Sequence, residues 1–317
     1  MSISKVRALA KTAETKSSNI MANSSAQSFL FYGTTGGKSV LSASQIGDDL
    51  KILVLSPAGG SCHLQSEFPN CVFYSIDSLT ELEEIVKDLE INMTIIKKLM
   101  SLTDIQRKDY KEKIFAKNYP AKEQKEIMEE DWKDIMSCVE QKRFPFDSVV
   151  LEEMDIVSAW IMDEVEKTFD LDIIGEDKKK MSADWAELRR VIVAFYSRLL
   201  KLPVRTIFAT SDKTPKEVQG ATQTTPNICT GAAARMLLGM IGNVLYVYKE
   251  GEKYLVRMLP NNQYLIRTKL SPVKKKIEIP EVMDVTNCPE KFWEFVSKVE
   301  KIRDEENKVI RPVDIKK

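Results

Sequence analysis

One stretch of the chain reads Ser28-Phe-Leu-Phe-Tyr32-Gly33-Thr34-Thr35-Gly36-Gly37-Lys38-Ser39, an apolar run that enters a glycine-rich turn and ends in Gly-Lys-Ser. This layout predicts a strand at about 28–32, a phosphate-binding loop (P-loop) and then a helix. In a P-loop the glycines let backbone N–H groups face phosphate oxygens, the lysine neutralises the β- and γ-phosphates, and the serine hydroxyl binds Mg²⁺. The sequence therefore predicts a nucleoside triphosphate site formed by Gly33, Thr34, Thr35, Gly36, Gly37, Lys38, Ser39 and Val40.

The spacing departs from the usual P-loop pattern by one residue. That pattern has Gly, four residues and then Gly-Lys-Ser/Thr, which puts Tyr32 at the first-glycine position and Gly33 one residue late. A chance Gly-Gly turn is the alternative interpretation. The apolar strand before the turn, and the helical spacing of apolar residues after it up to about residue 50, favour the P-loop. The shorter loop bears on efficient hydrolysis more than on nucleotide binding.

Length and composition narrow the class of protein. The 317 residues suffice for one large α/β domain or for a core with an appendage. Lys+Arg and Asp+Glu both number 47, so net charge points to no particular partner. The five cysteines have no metal-like spacing and the chain has a single histidine, His63, to which we assign no role. Free thiols, no apolar run near the ~20 residues of a membrane span and no signal-peptide core predict a soluble cytoplasmic protein with no membrane partner.

The order of segments predicts a mostly parallel α/β sheet with a helical insertion. Further short apolar runs, typical of strands buried on both faces, lie at 51–56, 71–76, 146–151 and 204–209. Apolar residues at helical spacing lie at about 79–143, 156–169 and 183–200, with a Lys-rich loop at 170–182. Strands that alternate with helices predict right-handed βαβ units. We interpret 79–143 as the insertion, and its polar stretch at about 104–126 as a solvated face or a contact with nucleic acid or a partner.

The last third of the chain changes character. Residues 211–231 are rich in Thr, Gln, Gly and Pro, and predict a long loop that is functional or disordered. After a short helix at 232–239, three strand-like runs separated by turn residues lie at 244–249, 254–259 and 264–269. We expect an ATPase domain over 28–303, with a helix at about 289–303 at its end. Residues 1–27 and 304–317 are predicted to be a flexible lead-in and a charged tail.

Acidic and small polar residues follow two of the predicted core strands. Glu152 comes directly after the run at 146–151, where a nucleotide hydrolase places the acid that holds Mg²⁺ directly or through water (Walker B). Glu153 could then orient or deprotonate the attacking water. The alternative is a solvated strand end with helix-capping acids. Thr210, with Ser211 and more weakly Asp212, ends the next strand and is a candidate contact for the γ-phosphate or the water, although such residues are ordinary at strand ends.

The C-terminal strands carry the most uneven charge in the chain. Between 253 and 276 there are seven basic residues and no acidic one, with Tyr254 and Tyr264 interleaved. Arg257, Arg267 and Lys269 are candidates for binding single-stranded nucleic acid through phosphate neutralisation and base stacking. Alternatively, this segment delivers an arginine finger to a neighbouring subunit, or it is a solvated sheet edge kept from aggregating by lysines. Arg267 and Lys269, two apart, would share one side of a strand.

Taken in order, these segments resemble the RecA-like AAA-type ATPases of bacteriophages, in the Sak-type group linked to single-strand annealing and recombination. The resemblance covers about residues 25–300. Besides the strand and P-loop, it depends on Ile76-Asp77-Ser78-Leu79, on Arg143-Phe-Pro-Phe-Asp-Ser-Val-Val-Leu-Glu-Glu-Met-Asp155, and on the Trp185 helix that leads into Arg205-Thr-Ile-Phe-Ala-Thr-Ser211. Only Gly-Lys-Ser is a specific motif among these.

The resemblance implies a RecA-like core that binds ATP and Mg²⁺, with Lys38 and Ser39 on the phosphates and metal and Glu152 as the Walker-B acid. It also implies a mobile DNA-binding loop at 211–231, head-to-tail homo-oligomers with nucleotide between subunits, and a location in the host bacterial cytoplasm. RecA has a glutamate after its second strand, whereas Ser56-Pro57-Ala58 offers no acid here. A catalytic base would then come from Glu153, Asp155 or a neighbouring subunit.

Two functional hypotheses follow from the sequence. The first is a DNA-dependent ATPase of phage recombination, annealing or replication, in which nucleotide orders the 211–231 loop and controls the grip on single-stranded DNA. The second is a nucleotide-binding interaction protein with little turnover, whose insertion recruits a recombination or replication partner. The basic C-terminal strands favour the first hypothesis, and the short loop favours the second. A packaging or helicase motor would need translocation, which the sequence cannot reveal.

Overall fold

The fold was derived from a computed structural model that describes residues 27–34, 37–46, 50–57, 59–118, 125–169, 178–213, 216–218, 221–228, 231–270 and 277–310. The strands of these ranges are β1 (Ser28–Tyr32), β2 (Ile52–Pro57), β3 (Cys71–Ile76), β4 (Ser148–Leu151), β5 (Arg205–Thr210), β6 (Lys216–Val218), β7 (Ala221–Gln223), β8 (Asn243–Glu250), β9 (Lys253–Arg257) and β10 (Val282–Asp284). The helices are α1 (Gly37–Ala43), α2 (Leu79–Met100), α3 (Asp104–Asn118), α4 (Lys125–Glu140), α5 (Met154–Phe169), α6 (Lys178–Leu200), α7 (Gly231–Met240) and α8 (Glu290–Ile310).

Eight of the strands form one mixed sheet in the order β10-β9-β8-β1-β5-β4-β2-β3. The six strands from β8 to β3 in that order are parallel, and β8, β9 and β10 pair antiparallel. The prediction of an α/β fold with a mostly parallel sheet and C-terminal antiparallel strands is confirmed. Every residue of β2 and β4 is buried, because these strands lie inside the sheet and its faces are covered.

The parallel register brings the carboxyl ends of the central strands to one edge. Tyr32, the last residue of β1, lies beside Thr210 of β5 and Tyr246 of β8. Leu151, the last residue of β4, lies beside Phe208 of β5. Segments that follow these strands therefore emerge next to one another, and ligands of open α/β sheets bind at such an edge.

The C-terminal helix anchors the segment that follows the predicted P-loop. Phe29 and Phe31 lie two apart on β1 and face α8, where the ring centroids of Phe29 and Trp293 are 5.3 Å apart. The Trp293 indole also donates a hydrogen bond of 2.6 Å to the carbonyl of Leu41 in α1. A helix at the far end of the chain thus holds both β1 and the helix that contains Lys38.

The segment predicted as a helical insertion forms α2, α3 and α4. Ser78 caps α2, since its side chain accepts a hydrogen bond from the Glu81 amide at 3.2 Å. The apolar residues of α2 at helical spacing are buried. The polar stretch from 104 is helical as far as Asn118, and its Ile105 is 78% exposed.

Three predicted boundaries near the core were wrong. The first helix ends at Ala43 and not near residue 50, because Ser44 and Gln45 side chains donate to the carbonyls of Leu41 and Ser42 at 3.1 and 2.9 Å. Helix α6 begins at Lys178, so the last five residues of the predicted 170–182 loop are helical. The last helix continues beyond 303 to Ile310.

Two predictions in the last third were also wrong. The predicted 211–231 loop contains the antiparallel hairpin β6–β7. The run at 264–269 is no strand, because Tyr264 and Arg267 each form one isolated bridge, to Thr224 and Val244. The edge strand on this side of the sheet is instead β10, which the sequence patterns did not predict. Arg267 and Lys269 therefore do not share one side of a strand.

Candidate functional site

The predicted P-loop begins at Gly33, which is placed by β8. Its φ is +148°, and a Cβ added there would lie 1.9 Å from the carbonyl oxygen of Val247. Only glycine fits so close to a neighbouring backbone. Gly33 therefore accommodates β8, while Tyr32, at the first-glycine position, is fully buried and donates a hydrogen bond of 3.0 Å to the carbonyl of Leu265. Thr34 is exposed, whereas Thr35 and Gly36 lie outside the described residues.

Lys38 faces acidic residues from two neighbouring strand ends. Its ammonium donates a hydrogen bond of 2.7 Å to the Gly33 carbonyl. Burial lowers the pKa of Lys38, and four carboxylates oppose that shift, namely Asp212, Asp155, Glu152 and Glu153. The structure therefore brings Lys38 together with both predicted catalytic glutamates. Ser39 and Val40 follow in α1 and are partly exposed.

Glu152 is the more buried of the two glutamates. It is 3% exposed, and its Oε2 accepts a short hydrogen bond from the hydroxyl of Ser61, in the loop after β2. Its Oε1 is buried without a hydrogen-bond partner among the described residues. A buried carboxylate oxygen with an open lone pair fits an acid that binds a metal-bound water or a metal.

Glu153 has a strained backbone. Its φ is +50°, in the left-handed region that side-chain-bearing residues seldom adopt. Burial, followed by the charges of Glu152 and Asp155, raises the pKa of its carboxyl group. A Cβ on Gly60 would lie 3.3 Å from Oε1 of Glu153, so the glycine makes room for this carboxylate. Glu153 thus reaches toward the end of β2, where Ser56-Pro57-Ala58 supplies no acid.

Thr210 holds the segment that follows β5. Its hydroxyl donates a hydrogen bond of 2.7 Å to the carbonyl of Asn227. The Ser211 hydroxyl donates to Asp155 at 2.7 Å, and the Asn227 amide donates to Ser211 at 3.1 Å. This network joins Asp155, which follows β4, to residues 223–228, so Thr210, the predicted contact for the γ-phosphate or the water, links the site to the segment that was predicted as a loop. Whether it contacts phosphate stays a prediction.

Asp212, one of the four carboxylates that act on Lys38, contacts Tyr246 of β8. Tyr246 forms a hydrogen bond with Asp212, and burial together with this carboxylate raises the pKa of Tyr246 to about 12. The Tyr246 ring stacks on Tyr264 with centroids 4.2 Å apart. Ser61, Asn227 and Tyr246 were missed by the sequence analysis. Ser61 and Asn227 follow strand ends, and Tyr246 lies inside β8 beside Tyr32, the last residue of β1, so the signal that could have identified them appears only once the strands are ordered in the sheet.

The predicted nucleic-acid residues make contacts within the chain. Arg257 forms an ion pair of 2.5 Å with Glu281 and lies over the ring of Tyr264 at 5.6 Å. Arg267 donates to the carbonyls of Leu238 and Gly239 at 3.0 Å each, in the last turn of α7. The main-chain amide of Lys269 donates to Asn243 at 2.9 Å. Lys274, Lys275 and Lys276 lie outside the described residues, and nucleic-acid binding stays a prediction.

In the part of the chain that the structure describes, no group of three or more His, Cys, Asp or Glu side chains is arranged to hold a metal ion. Mg²⁺ at a P-loop needs no such cage, since phosphates and water supply most of its ligands. Within the same residues, no helix is long and apolar enough to cross a membrane. No protein-family model matches the chain, and no curated protein matches its sequence.

Proposed function

We propose that this protein binds ATP at a RecA-like P-loop core and hydrolyses it. The observation that carries the proposal is the position of Lys38 after β1, facing Glu152 after β4, with β5 between the two strands. This arrangement can place a lysine on the phosphates and an acid on the metal side of one triphosphate. In the sheet order β8-β1-β5-β4-β2, the chain leaves β1 and crosses over β5 and β4 to reach β2. Ligands of open α/β sheets bind at the carboxyl ends of the strands where such a crossover occurs, which supports a site at the end of β1.

Ser39 and Glu152 are the residues that would hold Mg²⁺. The buried, unpartnered Oε1 of Glu152 supports this assignment. The ion would neutralise phosphate charge next to a group of four carboxylates that Lys38 alone does not balance. Glu153 is the candidate base, because its raised pKa and its place beside Glu152 suit a group that accepts a proton from water.

Binding of Mg²⁺-ATP by calorimetry tests the proposal. Lys38→Ala should abolish binding or weaken it severely, because the only P-loop cation is removed. Lys87→Ala, at an exposed position of α2, is the matched control and should bind as the unmodified protein does. Normal ATP affinity in Lys38→Ala would refute the P-loop assignment.

The proposal has two further parts. Single-stranded DNA stimulates the ATP hydrolysis, and the protein assembles into homo-oligomers in a bacterial cytoplasm. Both parts derive from the resemblance and from the basic run at 253–276. Hydrolysis measured with and without single-stranded DNA at two salt concentrations tests the DNA part, since phosphate contacts weaken with salt. DNA stimulation that fades with salt would support it.

The rival function is a nucleotide-binding interaction protein with little turnover. It is favoured by the loop after β2, where Gly59, Gly60 and Ser61 stand and no acid is present. A near-zero hydrolysis rate under all four conditions, together with normal ATP binding, would establish the rival.

A further inference from the structure

The β8–β9 hairpin lies against Gly33 and Gly37, the glycines at the two ends of the predicted loop. The β8 strand continues past the end of β1, where the Val247 carbonyl approaches Gly33. Across the hairpin, Lys249 pairs with Tyr254 of β9. The ring of Tyr254 lies against Gly37, since a Cβ on that glycine would be 2.8 Å from Cδ1 of the ring. An aromatic side chain therefore borders the loop directly.

The position of the acids gives the direction in which a bound nucleotide runs. Glu152 and Glu153 follow β4, which lies on one side of β1 with β5 between them. The metal-binding end of a triphosphate on Lys38 would point to that side. The nucleoside end then extends to the opposite side of β1, where β8 and β9 stand.

Tyr254 has the chemistry of a platform for a planar ring. Its backbone is held on both sides, because its amide donates to Thr286 Oγ1 and its carbonyl accepts from Val285, each at 2.9 Å. The side chain is partly exposed. The Lys249 ammonium lies over the ring at 5.6 Å from its centroid, pairs with Glu252 at 3.5 Å, and belongs to a side chain that is 38% exposed. A rigid aromatic ring beside a cation suits a nucleobase, which has both a π-face and polar edges.

The neighbouring tyrosines do not offer the same surface. Tyr246 is 7% exposed and is covered by Tyr264. Arg257 in turn lies over Tyr264 and is paired with Glu281. The rings of Tyr246 and Tyr264 are thus stacked on each other.

We propose that Tyr254 is the residue on which the base of the bound nucleotide packs, with Lys249 at the edge of that base. This inference rests on the proposed ATP site and adds its base-binding part. It also assigns the β8–β9 hairpin a function, as the wall that receives the nucleoside while the loop and Lys38 receive the phosphates.

The test compares two ligands that share phosphates and differ in the base, namely Mg²⁺-ATP and Mg²⁺-tripolyphosphate, by calorimetry. Tyr254→Leu keeps an apolar contact with Gly37 and removes the aromatic face. It should weaken ATP binding by about tenfold, the usual scale of base stacking on an aromatic ring. Tripolyphosphate binding should be unchanged, and Tyr254→Phe should bind ATP as the unmodified protein does.

Other outcomes overturn the inference. Equal losses for both ligands in Tyr254→Leu would mean that Tyr254 only shapes the loop. Unchanged ATP affinity in Tyr254→Leu would exclude base packing at this residue. Lys38→Ala should weaken both ligands, so normal binding in that variant, or no binding by the unmodified protein, would identify a failure of the proposed function itself.

Discussion

The ammonium of Lys38 donates a hydrogen bond of 2.7 Å to the main-chain carbonyl of Gly33, five residues earlier. The lysine thereby closes the loop on itself, while four carboxylates that follow β4 and β5 act on its charge at longer range. Gly33 in turn is positioned by the carbonyl of Val247 in β8. The geometry of the loop thus depends on a strand more than 200 residues away in the chain.

Gly33→Ala should destabilise the protein strongly. The new Cβ would lie 1.9 Å from the Val247 oxygen, and the φ of +148° is unfavourable for alanine. We expect the free energy of unfolding in urea to fall by about 2 kcal/mol or more. Gly239→Ala is the control, because nothing lies within 4 Å of its added Cβ and alanine favours the helix. Equal stability of the two variants would contradict the close approach of β8.

Glu153 should make the protein less stable as pH rises above about 4.5. Its pKa is raised in the folded state above the ordinary value of 4.5, so the folded protein favours the protonated carboxyl. Stability is therefore lost as pH rises from the unfolded pKa through the folded one. Glu153→Gln should remove this part of the pH dependence, which unfolding measured between pH 4 and 8 would show. Parallel curves for the variant and the unmodified protein would refute the raised pKa.

Ser61→Ala should destabilise the protein, because Glu152 loses a hydrogen bond. It removes the donor to a buried carboxylate whose other oxygen has no hydrogen-bond partner among the described residues. We expect a loss of about 1–3 kcal/mol in the free energy of unfolding. Ser66→Ala, at an exposed position of the same segment, should change stability little. The effect should shrink when Ser61→Ala is made in a Glu152→Gln background, and strict additivity would argue against the contact.

Thr210→Val should loosen residues 223–228. The replacement keeps the shape of the buried side chain and removes the hydrogen bond to the Asn227 carbonyl. We expect a loss of about 1 kcal/mol in stability. Amide hydrogen exchange should rise at Asn227 and Lys213, whose main-chain bonds to Ser211 and Thr225 join this segment to the strand end. Thr210→Ser keeps the hydroxyl and should leave exchange at both amides unchanged.

Arg267→Ala should lower stability irrespective of nucleic acid. Arg267 satisfies two carbonyls in the last turn of α7, so we expect a loss of about 1 kcal/mol on thermal or urea unfolding. Arg235→Ala, at an exposed position of the same helix, is the control. If Arg267 also binds single-stranded DNA, a folded Arg267→Ala protein will show a shallower salt dependence of binding. An unchanged slope would leave Arg267 with a structural role alone.

Local patterns predicted much of the fold. The continuous apolar runs of β2 and β4 were recognisable because strands inside a parallel sheet are buried on both faces. The edge strand β10 was missed, since a three-residue strand with partly exposed residues has no such pattern. Tyr264 and Arg267 lie in a segment with strand-like composition, yet each pairs through a single bridge, because tertiary contacts decided its path.

For the candidate site, the sequence by itself determined Lys38, from the Gly-Lys-Ser motif, and the pair Glu152 and Glu153, from their place after a buried strand. Motif spacing and continuous apolar runs are local properties of the chain. Only the tertiary structure decided which strands are neighbours. It placed Ser61 on Glu152, Asp155 on Ser211, and Tyr254 on Gly37. The physical reason is that strand order and side-chain contacts depend on packing between distant segments, which no spacing within a short window records.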